Sequence, residues 1–154
     1  MNNKPRVLFL CTGNTARSQM AETFLRHYAG NRFEVHSAGL EPGEIHPLTY
    51  QAMAEKGYDL AGHRSKGLSE YLMQMHFGYL ITVCSRAEAR CPIFSGVGQR
   101  LFWGFDDPAA FEGTSEAQLE KFREVRDQIE ARVKAWLAEI DADSATSQGA
   151  NHDA

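Results

Sequence analysis

Four short apolar runs recur along the 154-residue chain, with helix-forming sequence between them. The first, Arg6-Val7-Leu8-Phe9-Leu10, is continuous and reads as a buried strand. Beyond it Ala21, Phe24, Leu25 and Tyr28 repeat at helical spacing, and Gly30 stands where that helix would stop. Residues 33–38 alternate apolar and polar, the period of a second strand, which Gly39 ends. Pro47 suits the first turn of a short helix over 48–56, with Gly57 as its stop. A further short helix is predicted over 68–75, and residues 79–83 form the third strand, delivering Cys84 at its end. A helical piece through Ala89 follows, then Cys91-Pro92; Pro92, Gly96 and Gly98 mark a mobile loop. Residues 100–103 are the fourth strand and run into Gly104-Phe105-Asp106-Asp107-Pro108. In the last helix Ser115 and Gln118 fit a capping box, and Leu119, Phe122, Val125, Ile129, Val133, Trp136 and Ile140 keep one apolar face. From Asp141 the sequence is polar and aperiodic, which predicts a disordered tail over 141–154 behind a single domain over 1–140. No internal repeat is visible.

Strands that alternate with helices imply an α/β fold: a four-stranded parallel sheet with helices on both faces, a Rossmann-like three-layer arrangement with right-handed crossovers. Ligands of such sheets sit at the carboxyl ends of the strands. Cys11, Cys84 and the Asp106-Asp107 pair all fall just past a strand end, so the topology gathers them on one rim.

Composition narrows the function classes. Hydrophobic residues at 43% and charged residues at 23% are ordinary for a globular protein. A net charge of −4 without a basic stripe gives no reason to expect nucleic acid. No apolar run nears the roughly 20 residues that cross a bilayer. The first residues lead straight into a strand and are unlike a signal peptide, so a cytoplasmic protein, without a membrane partner and monomeric, is expected. Three cysteines, an odd number, point to free thiols in a reducing compartment. The histidines are scattered and no Cys-x2-Cys or His-x3-His pair occurs, so neither a metal nor another cofactor is expected.

The chemistry concentrates in Cys11-Thr12-Gly13-Asn14-Thr15-Ala16-Arg17-Ser18, a tight loop between the first strand and the first helix. Loop amides and a helix N-terminus converging on one point favour an oxyanion. Gly13 removes a Cβ from the turn, and Asn14 tolerates the left-handed region. The planar donors of Arg17 fit a tetrahedral oxyanion bidentately. The same field stabilises a thiolate nucleophile at Cys11, to which Ser18 could donate a hydrogen bond. A Cys-x5-Arg spacing alone means little, because Cys84 and Arg90 repeat it. That second copy lacks glycine and consists of helix formers, so it is predicted to coil instead of forming an amide nest. An aspartic acid beside Pro108 could protonate a leaving oxygen; from composition alone Asp106 and Asp107 are equally placed for this.

Four motifs carry a resemblance: residues 8–14, residues 17–22, His36-Ser37-Ala38-Gly39, and residues 103–109. Together they resemble the thioredoxin-coupled arsenate reductases of the low-molecular-weight protein tyrosine phosphatase fold, over about residues 6–140. The resemblance implies an enzyme in which the Cys11 thiolate attacks arsenate held by the amides of residues 12–18 and Arg17, while Asp107 protonates the departing oxygen. Cys84 would then attack the Cys11 adduct and release arsenite, and Cys91 would pass the oxidation to a Cys84–Cys91 disulfide that thioredoxin reduces. Seven residues of intact helix separate their ends by about 10.5 Å, whereas a disulfide needs Cα atoms within about 7 Å. The piece between Cys84 and Cys91 must therefore unwind during turnover.

Relatives often carry a cysteine where this chain has Ala16, which leaves a three-cysteine relay intact. They also bind potassium through Asn, Glu, Ser and Asp. Asn14, Glu22 and Ser37 match, but Lys66 stands at the fourth position, where it either supplies the positive charge itself or points into water. Two other functions compete. A tyrosine phosphatase on the same scaffold would use Cys11, Arg17 and Asp107 alone, but Ala109-Ala110 replaces the aromatic residue such enzymes carry after Asp-Pro. A non-catalytic redox module would have no use for Arg17 and Asp107.

Overall fold

The computed structural model describes residues 4–71, 76–91 and 96–152, with side chains as far as residue 143. Four parallel strands, β1 (Arg6–Cys11), β2 (Glu34–Gly39), β3 (Phe77–Thr82) and β4 (Val97–Phe102), lie in the order β2-β1-β3-β4. The helices are α1 (Arg17–Ala29), α2 (Pro47–Ala54), α3 (Ser85–Arg90) and α4 (Ser115–His152). This is the α/β architecture that the alternation of runs implies.

β1 is central, with Val7, Leu8, Phe9 and Leu10 all buried, as expected of a strand covered on both faces. β4 is the edge and exposes Gly98, Gln99, Arg100 and Phe102, so polar side chains and a glycine guard its open hydrogen bonds. Register sets the rim: Cys11 pairs with Gly39, Leu10 with Thr82, and Thr82 with Phe102. The four strands therefore end level, and the loops that follow them meet.

α4 closes the core along the predicted face, with Phe122, Val125, Ile129, Val133 and Trp136 buried. The Trp136 ring lies 5.7 Å from Trp103, 5.0 Å from Tyr79 and 5.5 Å from Phe33, so one indole clamps three separate segments. Such aromatic pairs add to the burial itself.

Several local expectations are corrected. The helix expected over 68–75 is a 3₁₀ turn at Leu68–Glu70 as far as it is described, residues 72–75 lying outside the described ones. β3 and β4 begin earlier than the apolar runs, at Phe77 and Val97, because the ladder between the two strands continues to the Phe77–Val97 pair. Gly98 thus belongs to a strand and not to the predicted loop, of which Pro92 and residues 93–95 lie outside the described residues. α4 is capped by Thr114, whose Oγ1 accepts the Ala117 N–H at 3.1 Å, and not by Ser115; Gln118 reaches instead to the Ala109 carbonyl at 3.3 Å. The loss of periodicity at Asp141 does not end this helix, which is described to His152.

The cap assignment has a direct test. Thr114→Ala should lower stability by about 1 kcal/mol and the melting temperature by roughly 2–4 °C, whereas Ser115→Ala should leave a thermal melt nearly unchanged. Equal losses would return the cap to Ser115.

Candidate active site

The loop after β1 is shaped by where its carbonyls go. The carbonyl of Thr12 accepts from Glu41 N–H at 2.8 Å, and that of Gly13 from Gly43 N–H and Ser65 Oγ, each at 3.0 Å. Asn14 O accepts from Gln19 Nε2 at 3.2 Å, and Thr15 O from His46 N–H at 3.1 Å and Thr49 Oγ1 at 2.9 Å. Every one of these carbonyls is tied to a segment behind the loop. In a trans peptide the N–H of the next residue points the opposite way, so the amides of Gly13, Asn14, Thr15 and Ala16 turn inward together. The Asn14 N–H bears this out by donating to Cys11 Sγ at 3.0 Å. α1 begins immediately after, and its N-cap, Ala16, offers no capping side chain. Its first-turn N–H groups complete an anion-binding concavity.

Asn14 makes the turn possible. Its φ of 56° is the one positive value at a non-glycine residue among those described, and its side chain is fully buried. The amide oxygen accepts from Gln19 Nε2 at 2.9 Å and from Lys66 N–H at 2.8 Å, and the amide nitrogen donates to Ser18 Oγ at 2.7 Å. The Ser18 hydroxyl also lies 2.8 Å from Cys11 Sγ, close enough to donate to a thiolate there. Two polar groups, the Asn14 N–H and the Ser18 hydroxyl, thus face a sulfur that is itself buried.

Arg17 reaches over the loop. Its Nη1 donates to the Phe105 carbonyl at 3.1 Å, and Nη2 lies 3.7 Å from Asp107 Oδ2. Asp106 points away and pairs with Lys121 of α4 at 3.0 Å. The structure therefore separates two carboxylates that the sequence left equivalent. Asp107 Oδ1 also accepts the Ala109 N–H at 3.0 Å, which orients the carboxylate in the turn made by Pro108.

The second thiol is adjacent. Cys84 Sγ lies 3.4 Å from Thr12 Oγ1 and caps α3 by accepting the Ala87 N–H at 3.3 Å. The second Cys-x5-Arg is therefore the predicted helix. Cys91 ends that helix, its N–H bonded to Ala87 O at 2.9 Å. Burial pushes the Cys91 thiol up, Glu88 adds to this and Arg100 opposes it. α3 itself is held at three points: Glu88 accepts from the Thr82 hydroxyl and pairs with Arg100 at 3.4 Å, and Arg90 pairs with Glu41 at 2.9 Å.

Two contributors escaped sequence reasoning. Gly39 reads as a strand stop, yet a Cβ there would meet Asn14 N and Gly13 C at 2.7 Å and Thr12 O at 2.9 Å, all backbone. Gln19 sits inside a helix and shows no signal for its buried role as the clamp on Asn14. Among the described residues, no group of three His, Cys, Asp or Glu side chains could hold a metal ion, and no helix is long and apolar enough to cross a membrane.

Known proteins share this fold. The low molecular weight phosphotyrosine protein phosphatase profile matches residues 6–146. An arsenate reductase of Halalkalibacterium halodurans is 41% identical over 134 residues, covering 87% of this chain and 96% of its own. A solved arsenate reductase in the phosphate binding state superposes with a TM-score of 0.73 at 30% identity, covering 88% of this chain and 98% of that one. A thioredoxin-dependent arsenate reductase of Corynebacterium glutamicum gives a TM-score of 0.67 at 30% identity, over 91% of this chain and 63% of that one.

If the Ser18 hydroxyl stabilises charge on the sulfur, Ser18→Ala should slow alkylation of Cys11 by iodoacetamide at neutral pH by roughly tenfold, the worth of a hydrogen bond to a charged acceptor. An unchanged rate, measured by mass spectrometry of the Cys11 peptide, would remove Ser18 from that role.

Proposed function

The chain belongs to the low molecular weight phosphotyrosine protein phosphatase family, and from that premise we propose that it reduces arsenate to arsenite through Cys11, Cys84 and Cys91, with thioredoxin as the reductant. What carries the reading is the second thiol. Cys84 abuts Thr12, the residue next to Cys11, and a third thiol closes the same six-residue helix. Hydrolysis of a phosphate ester uses neither.

Arsenate is a tetrahedral oxyanion, and the inward amides of residues 12–18 with the Arg17 guanidinium match its charge and shape. The Cys11 thiolate attacks arsenic, and the departing oxygen takes a proton from Asp107 and leaves as water. Cys84 then attacks Cys11 Sγ. The sulfur–arsenic bond breaks with its electron pair going to arsenic, so arsenic(V) becomes arsenic(III), and arsenite leaves as Cys11–Cys84 forms. Cys91 attacks Cys84 Sγ and expels the Cys11 thiolate, leaving Cys84–Cys91. A thioredoxin dithiol takes up this disulfide and restores both thiols. Two electrons enter and two leave; neither a metal nor an organic cofactor takes part.

The ends of α3 lie too far apart for the last disulfide, so the helix opens before Cys91 reacts. Its thiol stays covered and protonated until then, which keeps the resolving group out of the first steps. Free thiols that work in this order require a reducing compartment, which favours the cytoplasm.

The deciding measurement is arsenite production with thioredoxin, thioredoxin reductase and NADPH, run beside hydrolysis of an aryl phosphate. Cys11→Ser should abolish both activities. Cys91→Ser should complete about one turnover and accumulate Cys11–Cys84, and Cys84→Ser should stop before any relay disulfide. Aryl phosphate hydrolysis should survive in the last two variants. Non-reducing peptide maps of arsenate-treated wild type that lack Cys84–Cys91 would rule the relay out.

Asp107→Asn should cut turnover by roughly 10²–10⁴, the usual worth of a positioned acid. Asp106→Asn should cost far less, since its carboxylate faces Lys121; the opposite ranking would move the role to Asp106.

A further inference from the structure

Behind the Cys11 loop lies a cavity of about 260 Å³ lined by Glu22, Arg26, His36, His63, Lys66 and Tyr71 among others. Glu22 is buried, and so is most of Lys66, whose side chain is 12% exposed. A lysine so enclosed is uncommon, and an enclosed ammonium needs partners. Lys66 Nζ donates to the Arg64 carbonyl at 2.9 Å and lies 3.8 Å from Glu22 Oε1. Arg26 Nη1 approaches the other Glu22 oxygen at 3.3 Å, and His63 Nδ1 lies 3.6 Å from it. Burial pushes His63 down, with Glu22 opposing, so its imidazole adds no charge at neutral pH.

The potassium set of the relatives does not fit here. One carboxylate already faces two tethered cations, so the potential that would attract a third is gone. The ammonium takes the Arg64 carbonyl and the Glu22 oxygen. The buried Ser37 hydroxyl, a further member of that set, makes no hydrogen bond.

The Arg64 carbonyl connects this charge to the nucleophile. It also accepts from Gln19 Nε2 at 2.9 Å, and Gln19 Nε2 clamps Asn14 Oδ1 at 2.9 Å. The Lys66 backbone N–H is the second clamp on that same oxygen. From Asn14 the path runs through Ser18 Oγ to Cys11 Sγ. We propose that the Lys66 ammonium takes the place of a bound monovalent cation behind the Cys11 loop, which makes Lys66 a positioning residue for the Cys11 thiol. A cation carried by the chain is present at every salt composition and loses less freedom on binding than a captured ion.

The test compares potassium with sodium buffers of equal ionic strength, reading melting temperature, Cys11 alkylation and arsenate turnover. Only the turnover arm rests on the proposed function; melting and alkylation decide the inference even for a chain that reduces no arsenate. Wild type should give the same values in both salts. Lys66→Asp sets two carboxylates against Arg26 and gives Ser37 something to coordinate. Its melting temperature should rise by about 2–4 °C in potassium over sodium once the ion exceeds its dissociation constant several-fold, with faster alkylation of Cys11. Lys66→Met should lose roughly ten- to a hundredfold in kcat in both salts with KM little changed. A wild type stabilised by potassium over sodium, a Lys66→Asp indifferent to the ion, or a Lys66→Met with wild-type kcat each overturns it. Should Lys66→Asp not fold, the other two proteins still decide.

Discussion

The buried side-chain amide of Asn14 is the constraint on which the rest of the site depends. It has one oxygen and one nitrogen, and both are committed: the oxygen to Gln19 and Lys66, the nitrogen to Ser18. That commitment fixes a left-handed turn which costs most side-chain-bearing residues about 1–2 kcal/mol and which asparagine adopts more readily. The turn in turn sends carbonyls outward and amides inward, so the polarity of the whole concavity follows from the orientation of one amide. A buried network of this kind is sound only when each member is satisfied. Here Ser18 and Gln19 from the helix that follows, and Lys66 from a segment far off in sequence, satisfy it.

The second dependence is on shortness. α3 spans Ser85–Arg90, far below the length at which a helix is stable in isolation. It persists because Glu88 grips Thr82 and Arg100, and Arg90 grips Glu41. Of these the Arg90–Glu41 pair is exposed, and such pairs contribute little. A segment held mainly by a few side chains can open without disturbing the sheet, whose central strands are buried throughout. The Cys11 loop and the short α3 share one rim but draw on separate sources of stability.

Much of this was legible in the sequence because it is local. A continuous apolar run, a glycine, an asparagine and a serine opening a helix define the strand, loop and helix within 25 residues, and periodicity alone gives the buried face of α4. What escaped was decided across the fold. Asp106 and Asp107 are chemically identical neighbours, told apart by Lys121 on a distant helix and by Arg17 of the loop. Thr114 and Ser115 are equally able caps, and the chain direction chooses between them. The glycine at 39 is required by a crossing strand of backbone that no local pattern announces. Lys66 reads as a built-in positive charge or as a surface residue until the strap at 63–66 is seen to fold beneath the loop.

Cys84 holds two positions at once: its sulfur stands beside Thr12 and also caps the first turn of α3. A disulfide sulfur is a poorer acceptor than a thiol or thiolate, so oxidising Cys84 weakens the cap, a loss of up to about 1 kcal/mol. In so short a helix that is a large part of what holds the first turn. In the proposed relay, bonding Cys84 to Cys11 would therefore loosen the very segment that keeps Cys91 away. In that relay the helix would work as an interlock: the last thiol is let out by completion of the step before it, and the order of events is written into which atom does the capping.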